Sequence, residues 1–316
     1  VINAGVIGVG SMGQHHARVY RELPGVDLVG VYDVDHDQAM AVAEEHGTKP
    51  LSLDGLVETA DVVSIVVPTA FHKEMAERAI ESGTDILIEK PLAPTSEAAR
   101  EIVDAADEAD VTLQVGHIER FNPAVQAVSE FADELDPIAL EAQRQGPPVD
   151  RDGDDDVVMD LMVHDIDVAC ALLDGEVTAI EATGTAGGDY VTASLTFDDH
   201  VVATMTASRV TAKKLRNMAV TADDCRVDVD YTSQDVTITR RTEPEYVAAD
   251  DGLRFRSETL VEQPTVNNGE PLKEELSSFV ESVREDTEPE VTGEDGRRVI
   301  ELAERVRREL DNELVH

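Results

Sequence analysis

The chain is poor in cysteine, in positive charge and in long apolar runs, and each shortage narrows what it can be. Its two cysteines, Cys170 and Cys225, form no CxxC pair and show no metal spacing. Neither a disulfide framework nor a metal site is therefore expected, and reduced thiols suit a cytoplasmic protein. No apolar stretch reaches the ~18 residues of a membrane span. The opening VINAGVIGVG has no basic segment and reads as a strand, not as a signal peptide. Lysine and arginine number 26 against 67 acidic residues, a formal charge of −41. Such a field repels phosphates over long range, so neither nucleic acid nor an anionic membrane surface is expected as a partner.

What the chain does have is length and apolar content. Its 316 residues, 41% of them hydrophobic, suffice for two domains with packed cores. Only six of the basic residues are lysine, and acid runs such as Asp154-Asp155-Asp156 and Asp223-Asp224 are spread along the chain. A dispersed acid excess indicates a surface adapted to high salt, where a Debye length of about 3 Å screens the repulsion. The acidic segment 146–156 loosely resembles a calcium loop. However, Asp155 stands where that loop requires Gly and Leu161 where it ends in Glu, so a solvated loop is the better reading.

Strands alternating with helices run through the first 120 residues. An apolar strand, 4–9, enters Gly8-Val9-Gly10-Ser11-Met12-Gly13 and then a helical stretch ending near Pro24. Between strand and helix, Gly8 permits the tight turn, Gly10 admits a pyrophosphate, and Gly13 allows close helix–strand packing. The helix start at Ser11 and Met12 offers unpaired N–H groups to phosphate. Asp33 follows the second strand, 26–32, where a carboxylate can hold a ribose diol and would repel a 2′-phosphate, favouring NAD over NADP. Further helices are expected over 37–46, from Ser52, over 71–82 and over 96–109, and further strands over 62–67, 85–88 and 112–115. The pattern implies a doubly wound parallel sheet with ligands at the strand ends.

Two features suggest chemistry. Lys90 leaves the fourth strand between Glu89 and Pro91. A lysine at the mouth of such a site can bind a hydroxyl and serve as acid or base. Asp160 and His164 stand four apart on an apolar helix pattern, about one turn from each other, with Asp167 three further on. That arrangement could hold a polyol and manage a proton.

Together Gly8-x-Gly10-x-x-Gly13, Glu89-Lys90-Pro91 and Asp160-x-x-x-His164 resemble the glucose–fructose oxidoreductase, inositol dehydrogenase and MocA family. The resemblance implies an NAD-dependent oxidoreductase acting on a secondary hydroxyl of a sugar or cyclitol. It implies that Lys90 and His164 line the site, one of them as proton acceptor, that Asp160 contacts substrate, and that Pro68, Thr69, His72 and Glu89 lie along the cofactor. Met162 departs from many members, which have Gly there, and would narrow the pocket or change the substrate. Gly116-His117-Ile118-Glu119-Arg120-Phe121-Asn122-Pro123 and the segment 159–167 further resemble the branch that contains UDP-N-acetylglucosamine 3-dehydrogenases. That likeness implies a nucleotide-sugar substrate, with Arg120, Asn122 and Arg144 as contacts to substrate or nicotinamide. A free sugar or inositol as substrate, or a non-catalytic NAD-binding regulator, remain the alternatives.

Beyond Pro123 a helix is expected over 124–135 and strands over 138–144, 178–185, 190–197, 201–207, 217–221, 226–230 and 236–239, then helices over 272–285 and 295–310. The fold class is thus α/β: an N-terminal Rossmann-type parallel sheet (1–120), followed by an α+β domain (121–316) with a large, mostly antiparallel open sheet. The last helix is free to pack back on the first domain, and the resemblance implies a homodimer or homotetramer. If the charge reflects a saline habitat, the protein melts at a sharply lower temperature in dilute buffer and recovers in multimolar KCl. A melting temperature unchanged across that range would contradict the reading.

Overall fold

Apolar runs without alternation build the first sheet. Its strands are β1 (Ile2–Ile7), β2 (Val26–Tyr32), β3 (Val62–Ile65), β4 (Asp85–Glu89) and β5 (Leu113–Gly116). All of β3 and β5 and the last four residues of β1 are buried, as expected where helices cover both faces of a parallel sheet. The order is β2-β1-β3-β4-β5, every pair parallel, so the winding reverses between β1 and β3. The computed structural model describes residues 1–148, 156–173, 175–241, 245–249, 252–256 and 258–313.

The helices of this unit start and stop for identifiable reasons. α1 (Ser11–Glu22) buries Gly13, His16, Ala17, Val19 and Tyr20. α2 (His36–His46) is capped by Asp35, whose side chain accepts the N–H groups of Asp37 and Gln38, and it ends at Gly47 in the left-handed region. α3 (Leu53–Val57) is capped by Ser52. α4 (His72–Glu81) follows a 3₁₀ turn at Thr69–Phe71. α5 (Ser96–Ala109) is capped by Thr95 and ends at Asp110, φ 56°.

Contacts divide the chain into two units, Val1–Phe121 with Gly269–Glu304, and Asn122–Asn268 with Arg305–His316. The first thus regains residues 269–304, which a boundary at 120 assigns to the second. The cause is the apolar stripe Leu272, Leu276, Phe279 and Val280 of α8 (Pro271–Glu285). It joins Val6, Ala17, Tyr20 and Leu28 in one core.

The second unit begins with α6 (Pro123–Ser129), shorter than the expected 124–135 because a separate 3₁₀ turn follows at Ala132–Glu134. Its sheet contains β6 (Pro137–Gln145), β7 (Val177–Gly184), β8 (Tyr190–Phe197), β9 (Val202–Ser208), β10 (Leu215–Ala222), β11 (Cys225–Asp230) and β12 (Asp235–Arg241). A separate hairpin, β13 (Glu245–Ala249) with β14 (Gly252–Arg256), precedes the edge strand β15 (Thr259–Glu262). The order is β15-β12-β11-β10-β6-β9-β8-β7, antiparallel except for β6 with β9. Alternation in β8 and β11 shows one buried face and one open face.

The stretch expected to be one helix from Asp160 opens with a π turn, Val158–Met162, before α7 (Val163–Leu172). Asp156 starts it by accepting the N–H groups of Val158 and Met159. The long C-terminal helix is α9 (Gly293–Glu313). Most of the acidic segment, residues 149–155, lies outside the described residues. Among the described residues, no helix is long and apolar enough to cross a membrane, and no group of three His, Cys, Asp or Glu could hold a metal ion.

Candidate active site

The turn after β1 is shaped by what a side chain would strike. Gly8 has φ +89°, and a Cβ there would meet the Val66 carbonyl oxygen at 2.8 Å. A Cβ on Gly13 would come within 1.9 Å of the Gly8 carbonyl oxygen, so α1 closes on the turn only with glycine at 13. Gly10 faces open space, with nothing within 4 Å of its Cβ position. No side chain caps α1 at Gly10, which leaves the first-turn N–H groups of Ser11, Met12 and Gly13 to a ligand.

A cleft of about 440 Å³ opens between the ends of β1 and β3, where the winding reverses. Gly8, Gly10, Val66, Pro68 and Phe71 line it, and Asp33 stands in its wall. Thr69 opens the adjoining 3₁₀ turn. The Asp33 carboxylate is oriented by the Val9 N–H (2.8 Å) on Oδ2 and the Asp35 N–H (2.9 Å) on Oδ1. Each oxygen keeps a lone pair for a diol. Apolar walls, an anion-binding helix start and an oriented carboxylate fit a dinucleotide.

Lys90, half-buried, leaves β4 through a cis bond to Pro91. Behind it, Glu89 accepts His16 Nε2–H (3.0 Å) on Oε1 and the Lys90 backbone N–H (3.2 Å) on Oε2. The His16 side chain is wholly buried and the Glu89 side chain 13% exposed. Burial works against the Glu89 carboxylate. The His16 hydrogen bond, the His16 and Lys90 charges and the Lys90 N–H outweigh it and hold the group below the usual carboxylate range. Gly116 makes room, since a Cβ there would lie 3.1 Å from Glu89 Cα and 3.2 Å from its carboxyl.

His72 is 1% exposed. Its Nδ1 lies 3.0 Å from the Pro91 carbonyl oxygen and its Nε2 2.9 Å from that of Val67. Burial pushes its pKa down against the pull of these carbonyls. The ring ties the end of β3 to the turn after Lys90, so it is enclosed by backbone where the sequence suggested a place along the cofactor. Arg120 Nη2 lies 3.7 Å from Asp295 Oδ1, with its side chain 14% exposed.

In the second unit, Asp160 sits in the π turn and accepts Arg209 Nη2–H at 2.7 Å. His164, half-buried, lies in the first turn of α7, one turn further on. Arg144, expected to meet substrate, has a side chain only 4% exposed. It pairs with the buried Asp165, its Nη2 3.0 Å from Oδ1, and lies over the Tyr231 ring at 5.2 Å. Asn122 is 2% exposed. Its Oδ1 caps α6 at Ala124 and its Nδ2 donates to the Tyr231 carbonyl at 3.1 Å. Met162 is wholly buried.

The sequence reading missed His16 and Arg209. The signal for His16 was its place three residues past Gly13, on the face of α1 that holds Gly13, Ala17 and Tyr20. Removing its donor with His16→Leu leaves Glu89 without its imidazole partner and costs about 1–3 kcal/mol of stability. His16→Gln, which keeps a side-chain N–H, recovers much of it. Because Glu89 is depressed in the fold, its contribution is present above the usual carboxylate range and is lost as pH falls through its folded value. Urea melts from neutral to acid pH should therefore fall less steeply for Glu89→Gln than for the parent; parallel curves would contradict the pairing.

Comparison with known proteins agrees with this geometry. Residues 2–117 match the oxidoreductase family described by its NAD-binding Rossmann fold, and residues 98–229 match the GFO/IDH/MocA C-terminal domain. The chain is 34% identical over 311 residues to UDP-N-acetylglucosamine 3-dehydrogenase of Acidithiobacillus ferrooxidans, covering 97% of this chain and 96% of that one. A solved structure of that enzyme superposes with a TM-score of 0.89 at 33% identity, covering 98% of each chain. Inositol 2-dehydrogenase of Rhizobium meliloti is 25% identical over 322 residues, 96% of this chain and 95% of that one. A dinucleotide cradle, a lysine at the strand end and near-complete coverage by these relatives lead to one conclusion: this chain belongs to the Gfo/Idh/MocA family of NAD-binding oxidoreductases.

Proposed function

We propose that this protein oxidises the 3-hydroxyl of a nucleotide sugar of the UDP-N-acetylglucosamine type to a ketone. The observation that carries the reading is the 34% identity to a UDP-N-acetylglucosamine 3-dehydrogenase across 97% of the chain. In this reading Gly8, Gly10, Gly13 and the first turn of α1 hold the pyrophosphate, and Asp33 holds the adenosine ribose. NAD supplies the hydride acceptor when bound. Lys90 and His164 position the sugar hydroxyl and one of them takes its proton, while Asp160 binds a neighbouring hydroxyl. Removal of the O–H proton leaves an alkoxide that collapses to the carbonyl as the C–H hydride departs. The acid excess and scarce lysine support a cytoplasm of high salt, and the family resemblance supports assembly as a homodimer or homotetramer.

The test is turnover in multimolar KCl with NAD and a panel of UDP-N-acetylglucosamine, free sugars and inositols. UDP-N-acetylglucosamine is expected to be the preferred substrate. Lys90→Met and His164→Ala should each lower the rate by about 100-fold or more, with NADH binding nearly unchanged. Preference for a free sugar or inositol would overturn the nucleotide-sugar assignment. Binding of NADH with turnover of nothing in the panel would favour a regulator. Near-parental rates in both variants would overturn the residue roles.

A further inference from the structure

The chain has two long stretches without an acidic residue, Val1–Arg21 and Val201–Ala222, although 67 of its 316 residues are acidic. The first is the strand, glycine turn and helix of the phosphate cradle. The second has no explanation in the dinucleotide site. It comprises β9, a loop and all of β10 within the second unit, and the loop with the start of β10 concentrates positive charge: Arg209, Lys213, Lys214 and Arg216. Two of the six lysines of the whole chain are here, side by side.

The loop is braced from beneath. Thr211 donates to the Gly146 carbonyl through both its N–H (3.1 Å) and its hydroxyl (3.2 Å), and the Gly146 N–H returns a bond to the Ser208 carbonyl at 3.0 Å. Arg216 Nη1 donates to the carbonyls of Gln145 and Leu215, both at 2.9 Å. Arg209 reaches Asp160 Oδ2 at 2.7 Å and so joins the loop to the Asp160–His164 segment. Lys213 and Lys214 are exposed, and neither pairs with a carboxylate among the described residues. In so acidic a chain, a braced loop whose own sequence holds no acid and which exposes two ammonium groups has the charge and the donors to receive a polyanion.

Resting on the nucleotide-sugar reading above, we propose that the loop Arg209–Arg216 anchors the diphosphate of the substrate. Lys213 and Lys214 are its phosphate donors, and Arg209 is a positioning residue that links the anchor to Asp160. The loop thereby selects a nucleotide-linked sugar over the free sugar.

The experiment compares the intact protein with the double variant Lys213→Gln/Lys214→Gln, both in the same KCl, with Lys49→Gln as a distant charge control. Kd is measured for UDP and for uridine, and kcat and KM for UDP-N-acetylglucosamine. The parent should bind UDP more tightly than uridine, and the double variant should lose most of that difference. Its KM should rise about 10-fold or more, as expected for loss of charge-assisted hydrogen bonds. Its kcat should stay within about twofold, and its thermal melt should match that of the parent because both lysines are exposed. Parental turnover of UDP-N-acetylglucosamine with unchanged KM and UDP affinity in the double variant would overturn the anchor alone. A parent that neither turns over this substrate nor binds UDP would overturn the anchor and the nucleotide-sugar reading together.

Discussion

The Glu89 carboxylate ties the helix after the glycine turn to the strand end that carries Lys90. One oxygen takes the imidazole N–H of His16, from the helix whose start faces the phosphate site, and the other takes the backbone N–H of Lys90. A buried carboxylate is costly unless it is fully hydrogen-bonded or paired. The two partners are therefore fixed relative to each other by the penalty of leaving Glu89 unsatisfied. His72 secures the same corner from the other side through the Val67 and Pro91 carbonyls. Lys90 consequently emerges from a turn held on both sides, which would suit the hydroxyl-positioning role proposed for it.

The second unit repeats the device with a different pair. Arg144 and Asp165, both nearly inaccessible, join the middle strand β6 to α7, and Tyr231 covers the guanidinium. Arginine suits this role because its planar fork can satisfy both carboxylate oxygens and stack on a ring at once. The Arg144–Asp165 pair fixes the helix that carries His164, while Arg209 orients Asp160 in the preceding π turn. Both units thus hold the segments that carry Lys90, Asp160 and His164 on buried or partly buried charge pairs.

Much of the first unit was legible in the sequence because its signals are local. The glycine turn and the helix starts at Ser52 and Ser96 each depend on residues within about one turn of one another. Pairing across the second sheet depends on residues far apart, so nothing in the segment 138–144 announced that it would lie between β10 and β9, parallel to the latter. The return of 269–304 to the first core is non-local in the same way. Arg144 and Asn122 look in sequence like groups available to a ligand. Their burial against Asp165 and Tyr231 appears only once strand and helix are packed. A histidine on a helix is ordinarily a packed residue, and only the packing of α1 against the end of β4 gives His16 its Glu89 partner.

The proposed function requires the first unit to present a hydride acceptor to a sugar carbon bearing a secondary hydroxyl. The most direct measurement uses UDP-N-acetylglucosamine deuterated at carbon 3, incubated with the protein and NAD in KCl and followed by mass spectrometry of the reduced cofactor and of the sugar. The deuterium should pass to the reduced nicotinamide, and the sugar product should be lighter by the deuterium and one exchangeable proton. Deuterium retained on the sugar, or found in water with no labelled reduced cofactor, would contradict it.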